Sequence, residues 1–341
     1  MRESPETESP RPADALRPAD ALRPAGASRA AEAPRRVLRI GGIDYLNSLP
    51  LLWGLDRDPG LALTYEVPSR LASMLDAGEL DAALVPIVAW ADRDDYAIVP
   101  GLGIASWGGV RSIRLYHRGD LARVRRVGLD ACSRTSSLLT RLLFRELWGG
   151  DPEFVRAAPE ALHAELSGDV TPSVALGVDA ALLIGDAALR RGVYPGWDDV
   201  DLGTEWTRWT GLPFVYAFWV CRPLSLDAAT LRALVARLLR ARDEGVRRVD
   251  AIVGGAALPE GFTASDARHY LHRVIQYDLG DDQRDAIALF FAKLRAAGLL
   301  DVDASDLRFL AGAEATDRAG ASVAQLASPA ASPAASTTRR A

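Results

Sequence analysis

Lysine is nearly absent from this chain: Lys293 is the only one among 341 residues, and the remaining basic side chains are arginine. Enzymes that hold a carbonyl compound as a Schiff base need a lysine, and so does a phosphate-binding loop of the Walker type. Lys293 lies in a late amphipathic segment. The sequence therefore argues against pyridoxal chemistry and against a lysine-based phosphate loop.

Cysteine and histidine are also scarce. Cys132 and Cys221 are far apart in the sequence and lack the C-x-x-C spacing of many zinc and redox sites. Among the four histidines, His269 and His272 share one helical face, but no third ligand follows nearby. We therefore expect neither a disulfide framework nor a metal site.

Long apolar runs and an excess of positive charge are missing as well. No segment reaches the roughly 18 uninterrupted apolar residues of a membrane-spanning helix. The net charge of −5 provides no polycationic surface for nucleic acid. Residues 1–35 contain neither an apolar signal segment nor a cysteine that could carry a lipid. We therefore expect no membrane or nucleic-acid partner.

The two ends of the chain differ in composition from its middle. Residues 1–35 repeat Arg-Pro-Ala-Asp-Ala-Leu, residues 312–341 are rich in alanine, serine and proline, and neither end contains an aromatic residue. Such segments cannot bury enough apolar surface to offset the entropy of ordering. We predict two disordered tails around a folded region of residues 36–311.

Within the folded region, apolar strand patterns alternate with amphipathic helix patterns. Strands are predicted at residues 37–40, 61–67, 81–86, 98–106, 110–117, 127–129, 154–155, 179–184 and 214–220. Helices are predicted to begin after residues 47–48, at 68 and near 133, and to cover 228–249, 264–275 and 282–297. This alternation favours largely parallel sheets covered by helices.

The strand patterns fall into two groups, which predict two α/β lobes. Lobe one combines residues 36–110 with 215–311, and lobe two covers residues 111–214. Two crossover strands join them, so that strand ends and helix N-termini from both lobes face a ligand cleft. This layout is that of the type II periplasmic-binding-protein fold.

Hydroxyl side chains and an arginine crowd the start of the helix that follows the strand at 127–129. Ser133, Arg134, Thr135 and Ser136 occupy this position. The first turn of a helix has unpaired N–H groups and a partial positive charge, and arginine can bind a carboxylate through two hydrogen bonds. These four residues are candidates for an anion site, although the pattern also fits an ordinary N-cap beside a solvated arginine.

A similar junction follows the first predicted strand. Asn47 and Ser48 lie there, and either side chain can cap the helix that begins near Pro50.

Five motifs occur in order along the folded region. They are residues 45–50 (Tyr-Leu-Asn-Ser-Leu-Pro), 104–106 with Gly108 and 110–112 (Ile-Ala-Ser, Val-Arg-Ser), 133–136 (Ser-Arg-Thr-Ser), 183–189 (Leu-Ile-Gly-Asp-Ala-Ala-Leu) and 209–215 (Trp-Thr-Gly-Leu-Pro-Phe-Val). Together they resemble the chorismate dehydratase family of the futalosine route to menaquinone. The resemblance covers residues 39–297 and leaves out both tails.

This resemblance implies a cytoplasmic enzyme on the type II binding-protein fold that works without metal or organic cofactor. It implies removal of water from chorismate to give 3-[(1-carboxyvinyl)oxy]benzoate, the first step of that route. It also implies that Asn47 is catalytic. Ser106 is our second catalytic candidate, since it can bind the second substrate carboxylate together with the backbone of residues 108–109.

The remaining candidate substrate-binding residues lie within the same motifs: Ser48, Asp186 and Gly211 join the group at residues 133–136. The general base stays open, because the motifs contain no histidine or glutamate. Asp186 is one candidate, although it can equally cap a helix, and Asp44 is better explained as solvated or structural. The substrate's own enolpyruvyl carboxylate is another candidate. A non-catalytic solute-binding protein for a small carboxylate is the alternative function.

Overall fold

The structure is a computed structural model that describes residues 36–171, 173–190, 194–303, 305 and 307–310. The two tails predicted to be disordered, residues 1–35 and 312–341, lie outside the described residues. No helix within the described ranges combines the length and apolar character needed to cross a membrane.

Eleven strands occur among the described residues. They are β1 (Leu38–Ile43), β2 (Leu61–Glu66), β3 (Ala82–Pro86), β4 (Ala97–Ser106), β5 (Ile113–His117), β6 (Arg126–Asp130), β7 (Glu153–Ala157), β8 (Ala180–Ile184), β9 (Asp198–Asp201), β10 (Phe214–Cys221) and β11 (Ile275–Gln276).

Ten α-helices occur in the same part of the chain. They are α1 (Leu49–Leu52), α2 (Pro68–Asp76), α3 (Thr135–Leu143), α4 (Pro159–Ser167), α5 (Gly185–Leu189), α6 (Leu202–Thr210), α7 (Ala228–Arg247), α8 (Val249–Gly255), α9 (Ala264–His269) and α10 (Asp281–Ala296). Two π-helical segments, Phe144–Trp148 and Tyr270–Val274, extend α3 and α9.

The strands form two mixed sheets. The first has the order β11-β4-β10-β3-β1-β2 and the second the order β7-β6-β8-β5-β9. The predicted parallel pairing is confirmed for β1 with β2 and β3, and for β6 with β7 and β8. Strands β4, β5 and β10 pair antiparallel with their neighbours, because they carry the chain out of one sheet and back.

The two passages between the sheets lie side by side. The chain leaves the first sheet at the end of β4 and returns at the start of β10, where Phe214 pairs with Ser106. Every residue of β10 is buried, as its uninterrupted apolar sequence predicts. Because β4 and β10 are neighbours, the two connecting segments, residues 107–112 and 211–213, begin and end side by side at the first sheet.

The outgoing passage is held by Asp201 at the start of α6. This carboxylate caps α6 and also accepts the backbone N–H groups of Val110 and Arg111, at 3.0 and 2.6 Å. These two N–H groups are therefore not available to a strand partner, and β5 begins three residues later than predicted. Arg111 has a φ of 67°, a left-handed conformation that is costly for a residue with a side chain.

Several elements differ from the sequence prediction. Helices α4 and α6 and strand β9 were not predicted, although Asp201 and Gly211 are typical start and stop residues for α6. The helix predicted over 264–275 is wrong at its end. Ile275 pairs with Ser106 in β11, because β4 would otherwise leave its outer edge unpaired there.

Candidate active site

A cleft lies between the two sheets. It opens at the ends of the parallel strands β1, β3, β6 and β8, where a ligand site is expected in sheets of this kind. The first sheet and its connections contribute Ile43, Tyr45, Asn47, Pro68, Pro86, Ile104, Tyr216 and Ala217. The second contributes Ser112, Ile113, Cys132, Ser133, Arg134, Thr135, Ser136, Ile184 and Gly185.

The start of α3 forms the positive wall of the cleft. Arg134 is the only charged side chain among the described residues that line it. Arg134 occupies the N-cap position of α3, and no side chain caps the helix. Among the described residues the first-turn N–H groups thus have no side-chain cap, and a guanidinium and hydroxyls lie beside them. This arrangement suits an anion, as the sequence predicts.

Thr135 and Ser136 are both buried at this wall. The Thr135 Oγ1 atom is fully buried without a hydrogen-bond partner among the described residues. Leaving a buried polar atom unpaired costs on the order of 1–3 kcal/mol. A ligand that accepts from this hydroxyl would recover that free energy.

Asn47 lies on the opposite wall, in a 3₁₀ turn formed by Leu46–Ser48 directly after β1. Its side chain is half-buried, and its Oδ1 atom is buried without a hydrogen-bond partner in the part of the chain that the structure describes. The prediction that Asn47 or Ser48 caps the helix is wrong, because neither the 3₁₀ turn nor α1 has a side-chain cap. Ser48 instead donates backwards to the carbonyl oxygens of Ile43 and Tyr45. Ser48 therefore stabilises the turn that carries Asn47 and does not itself line the cleft.

Ser112 also lines the cleft, and it was not among the predicted site residues. It is 1% exposed, and its Oγ atom has no hydrogen-bond partner in the described chain. The strained residue Arg111 immediately precedes it. Backbone strain of this kind is a signal of function, but it is visible only in a structure.

Ser106 does not reach the cleft wall. It is fully buried, and its Oγ atom lies 3.0 Å from the Gly108 carbonyl oxygen and 2.9 Å from the Tyr216 hydroxyl. The N–H of Gly108 donates to Thr207. The structure thus puts Tyr216 on the wall, with Ser106 behind it. Burial raises the pKa of Tyr216, so its hydroxyl stays protonated at neutral pH.

Asp186 connects the second sheet to the turn that carries Asn47. Its carboxylate accepts the N–H of Leu46 at 3.0 Å, across the two lobes. The alternative role as a cap of α5 is wrong, because that helix has no side-chain cap. Burial raises the pKa of Asp186 to about 6, although the Leu46 hydrogen bond lowers it. Asp186 is not among the residues that line the cleft, and Asp44 is exposed.

The Tyr45 ring packs on Gly185 beside this hydrogen bond. A Cβ atom at Gly185 would lie 2.8 Å from the ring, and the φ of Gly185 is +60°. Both facts require glycine at this position. The contact brings the two lobes together next to the cleft.

Gly211 lies away from the cleft. It ends α6 in the left-handed conformation, with a φ of 75°, and its N–H donates to Thr207. It turns the chain from α6 into β10. The predicted site residues therefore separate into two groups. Asn47, Ser133, Arg134, Thr135 and Ser136 line the cleft, whereas Ser48, Ser106, Asp186 and Gly211 lie behind or beside it.

Sequence comparison identifies relatives over the whole folded region. A family model described as menaquinone biosynthesis matches residues 38–296. A chorismate dehydratase of Thermus thermophilus is 30% identical over 265 residues, which are 72% of this chain and 91% of that protein. A chorismate dehydratase of Campylobacter jejuni is 25% identical over 267 residues, which are 76% of this chain and 98% of that protein.

Comparison of structures concerns the fold alone, because the identities are low. A protein of Archaeoglobus fulgidus matches with a TM-score of 0.61 and 19% identity, over 77% of this chain and 98% of its own. The periplasmic aliphatic sulphonate-binding protein of Escherichia coli matches with a TM-score of 0.51 and 18% identity, over 84% and 97%. The predicted periplasmic-binding-protein-like fold is confirmed.

The raised pKa of Asp186 predicts how stability changes with pH when this residue is replaced. Its folded pKa of about 6 lies above the ordinary 3.8, so the folded state disfavours the carboxylate form. This penalty is absent below pH 4 and fully present above pH 6. We expect Asp186→Asn to be more favourable to stability at pH 7.5 than at pH 5, by on the order of 1 kcal/mol.

Thermal unfolding of the variant and the parent at both pH values measures this difference. Asp44→Asn, which removes an exposed carboxylate that contributes a small part of the rise in the Asp186 pKa, is the control and should show a much smaller trend. An equal effect of Asp186→Asn at both pH values would contradict the conclusion that burial raises the pKa of Asp186.

Proposed function

We propose that this chain, which belongs to the menaquinone biosynthesis family, is an enzyme that removes water from chorismate to give 3-[(1-carboxyvinyl)oxy]benzoate. One observation supports the proposal independently of what the relatives are called. The cleft has a single cationic wall, at Arg134 and the start of α3, and neutral hydrogen-bonding groups on the opposite wall. A dicarboxylate whose reaction needs no charged protein base fits such a site.

Chorismate carries one carboxylate on its ring and one on its enolpyruvyl ether. The wall at residues 133–136 binds one of them, through the guanidinium of Arg134, the first-turn N–H groups of α3 and the hydroxyls of Thr135 and Ser136. These donors hold the substrate in one orientation. Holding a reactant in its reactive geometry is itself a large part of catalysis.

Asn47 and Ser112 act on the other end of the substrate. Both line the cleft, and both have a buried polar atom without a partner in the described chain. Their N–H and O–H groups can donate to the departing hydroxyl or to the second carboxylate. Such donors stabilise the charge that moves during the reaction. Tyr216, which is positioned by Ser106, adds a second hydroxyl to this part of the cleft.

The reaction breaks two bonds to neighbouring ring carbons, one C–H bond and one C–O bond. The proton leaves the ring carbon that bears the ether oxygen, and its electron pair forms the new ring double bond. The C–O bond of the neighbouring hydroxyl breaks, and the hydroxyl departs with the electron pair of that C–O bond and takes up the proton, leaving as water. The product ring is aromatic, which supplies the driving force.

The substrate's enolpyruvyl carboxylate removes the proton in this scheme. No carboxylate and no imidazole of the described residues line the cleft. The Asp186 carboxylate already accepts the N–H of Leu46. Asp186 therefore positions the turn that carries Asn47, and a group of the substrate provides the base.

Incubation of the purified protein with chorismate tests the proposed reaction. Chromatography with mass detection should show a product lighter by one water, formed in proportion to the protein. Chorismate that binds but remains unchanged would overturn the proposal and support a solute-binding protein instead. Binding is measured in parallel by calorimetry, so that the two outcomes are distinguished.

Replacing Arg134 should weaken substrate binding. We expect Arg134→Gln to raise the KM for chorismate about ten- to hundredfold, because a charge-assisted carboxylate contact is lost. Arg141→Gln is the matched control: Arg141 lies on the same helix, stacked over the Phe154 ring and outside the cleft. Equal steady-state kinetics for the two variants would contradict the assignment of Arg134.

The substrate-assisted scheme predicts that Asp186 is replaceable. We expect folded Asp186→Asn to retain a kcat within about tenfold of the parent, because an amide oxygen can still accept the N–H of Leu46. Removal of a general base typically costs 10²- to 10⁴-fold. A loss of that size in a variant with native thermal unfolding would identify Asp186 as the base.

A further inference from the structure

Arg111 is the one non-glycine residue among those described that has a positive φ, at 67°. A side chain makes this left-handed conformation unfavourable, whereas glycine adopts it freely. Glycines stand at positions 108 and 109 of the same outgoing passage, residues 107–112. An arginine in the strained position therefore indicates that its side chain makes contacts that a glycine could not make.

The guanidinium of Arg111 contacts two side chains at and before α9. It lies 5.4 Å from the centroid of the Phe262 ring, and its Nη2 atom lies 4.0 Å from Oδ1 of Asp266. Phe262 is buried and packs edge-on against the ring of Tyr270. Asp266 accepts the N–H and the hydroxyl of Thr263 through Oδ2, in the capping box of α9. Both contacts of Arg111 are thus with side chains that their own neighbours hold in place.

The backbone of Arg111 is bound on the other side, to the second sheet. Its N–H donates to Oδ2 of Asp201 at 2.6 Å, where β9 ends and α6 begins. The main chain of Arg111 is therefore bonded to the second sheet, while its side chain contacts the segment that leads into β11 of the first sheet.

Both ends of the outgoing passage are tied to this one segment. Ser106, directly before the passage, pairs with Ile275 in β11. Arg111, near its end, contacts Phe262 and α9. Helix α9, its π-helical extension and β11 follow one another without a break. With both ends held by one continuous segment, the path of residues 107–112 is defined.

Ser112 is the residue that this arrangement places in the cleft. It directly follows Arg111, lines the cleft and is 1% exposed. Its carbonyl oxygen accepts the N–H of Gly185 at 2.8 Å, and β5 begins at Ile113. A rotation of the backbone at Arg111 would therefore move the Ser112 hydroxyl relative to Asn47, which lies on the opposite wall.

We propose that Arg111 is a positioning residue: its guanidinium, held by Phe262 and Asp266, fixes the strained backbone of the outgoing passage and so sets the place of the Ser112 hydroxyl in the cleft. This inference rests on the proposed dehydration of chorismate, in which Ser112 donates to the substrate. Arg111 is not among the residues that line the cleft. An arginine suits this role because its planar guanidinium can stack on a ring and face a carboxylate at the same time.

Two substitutions of Arg111 test the proposal. Arg111→Gln removes the charge and keeps the strained backbone, whereas Arg111→Gly removes the contacts and relieves the strain as well. We expect both variants to lower kcat for chorismate about tenfold, because a displaced donor stabilises the moving charge less well. The KM should stay within about threefold of the parent, because the carboxylate contact at Arg134 is unchanged.

Arg114→Gln is the matched control. Arg114 lies further along the same stretch of chain, in β5, and pairs with Asp199 inside the second sheet. Its loss removes an arginine of similar exposure without touching the passage, so kcat and KM should equal those of the parent. Arg111→Lys keeps a cation over the Phe262 ring and should restore kcat to within about threefold of the parent.

A second measurement does not depend on turnover. Hydrogen exchange, followed by mass spectrometry on peptides that cover residues 107–112, reports on the N–H groups of Val110 and Arg111 that donate to Asp201. We expect these groups to exchange faster in Arg111→Gln than in the parent, while Arg114→Gln leaves their exchange unchanged.

The outcomes separate the inference from the function it rests on. A native kcat in Arg111→Gly would overturn the positioning role, because relief of strain alone would then suffice, and a rise in KM alone would overturn it too. Equal exchange in the parent and in Arg111→Gln would overturn it whether or not chorismate is dehydrated. A parent protein that leaves chorismate unchanged, with faster exchange only in Arg111→Gln, would refute the reaction and retain the hold of Arg111 on the passage.

Discussion

The carboxylate of Asp201 holds together the segments through which the chain passes between its two sheets. It accepts the N–H groups of Val110 and Arg111 on the outgoing passage and two further N–H groups at the start of α6, which precedes the return. The two segments cannot separate without breaking several of these bonds. Ser112 follows Arg111 in the chain and lines the cleft, so these hydrogen bonds also fix the position of Ser112. Asp186 adds a second contact between the lobes through Leu46, and so fixes the turn that carries Asn47 on the other wall.

The distribution of polar groups around the cleft determines which chemistry it supports. The positive charge lies at one end, at Arg134 and the start of α3, while the other wall provides neutral donors. A carboxylate placed near Asn47 and Ser112 is therefore not neutralised by a cation, and it remains basic enough to accept a proton. The enzyme we propose orients a substrate that contains its own base, and the unpaired hydroxyls of Thr135 and Ser112 can donate to that substrate.

Sequence reasoning predicted the fold and the position of residues 133–136 at a helix start on the cleft, because both depend on local patterns. Alternating strands and helices indicate layered sheets, and a polar helix start indicates an anion site. It placed Ser106 and Asp186 on the cleft, whereas Ser106 lies behind Tyr216 and Asp186 beside Leu46. These positions depend on contacts between residues more than a hundred positions apart, which no local pattern encodes.

A crystal structure of the protein with 3-[(1-carboxyvinyl)oxy]benzoate bound tests the central claim most directly. We expect one carboxylate to contact Arg134 and the first-turn N–H groups of α3, with the other end of the molecule against Asn47 and Ser112. We also expect Asp186 still to accept the N–H of Leu46 and not to touch the ligand. A ligand bound outside the cleft, or a direct contact of Asp186 with the ring carbon that bears the ether oxygen, would contradict the proposed mechanism.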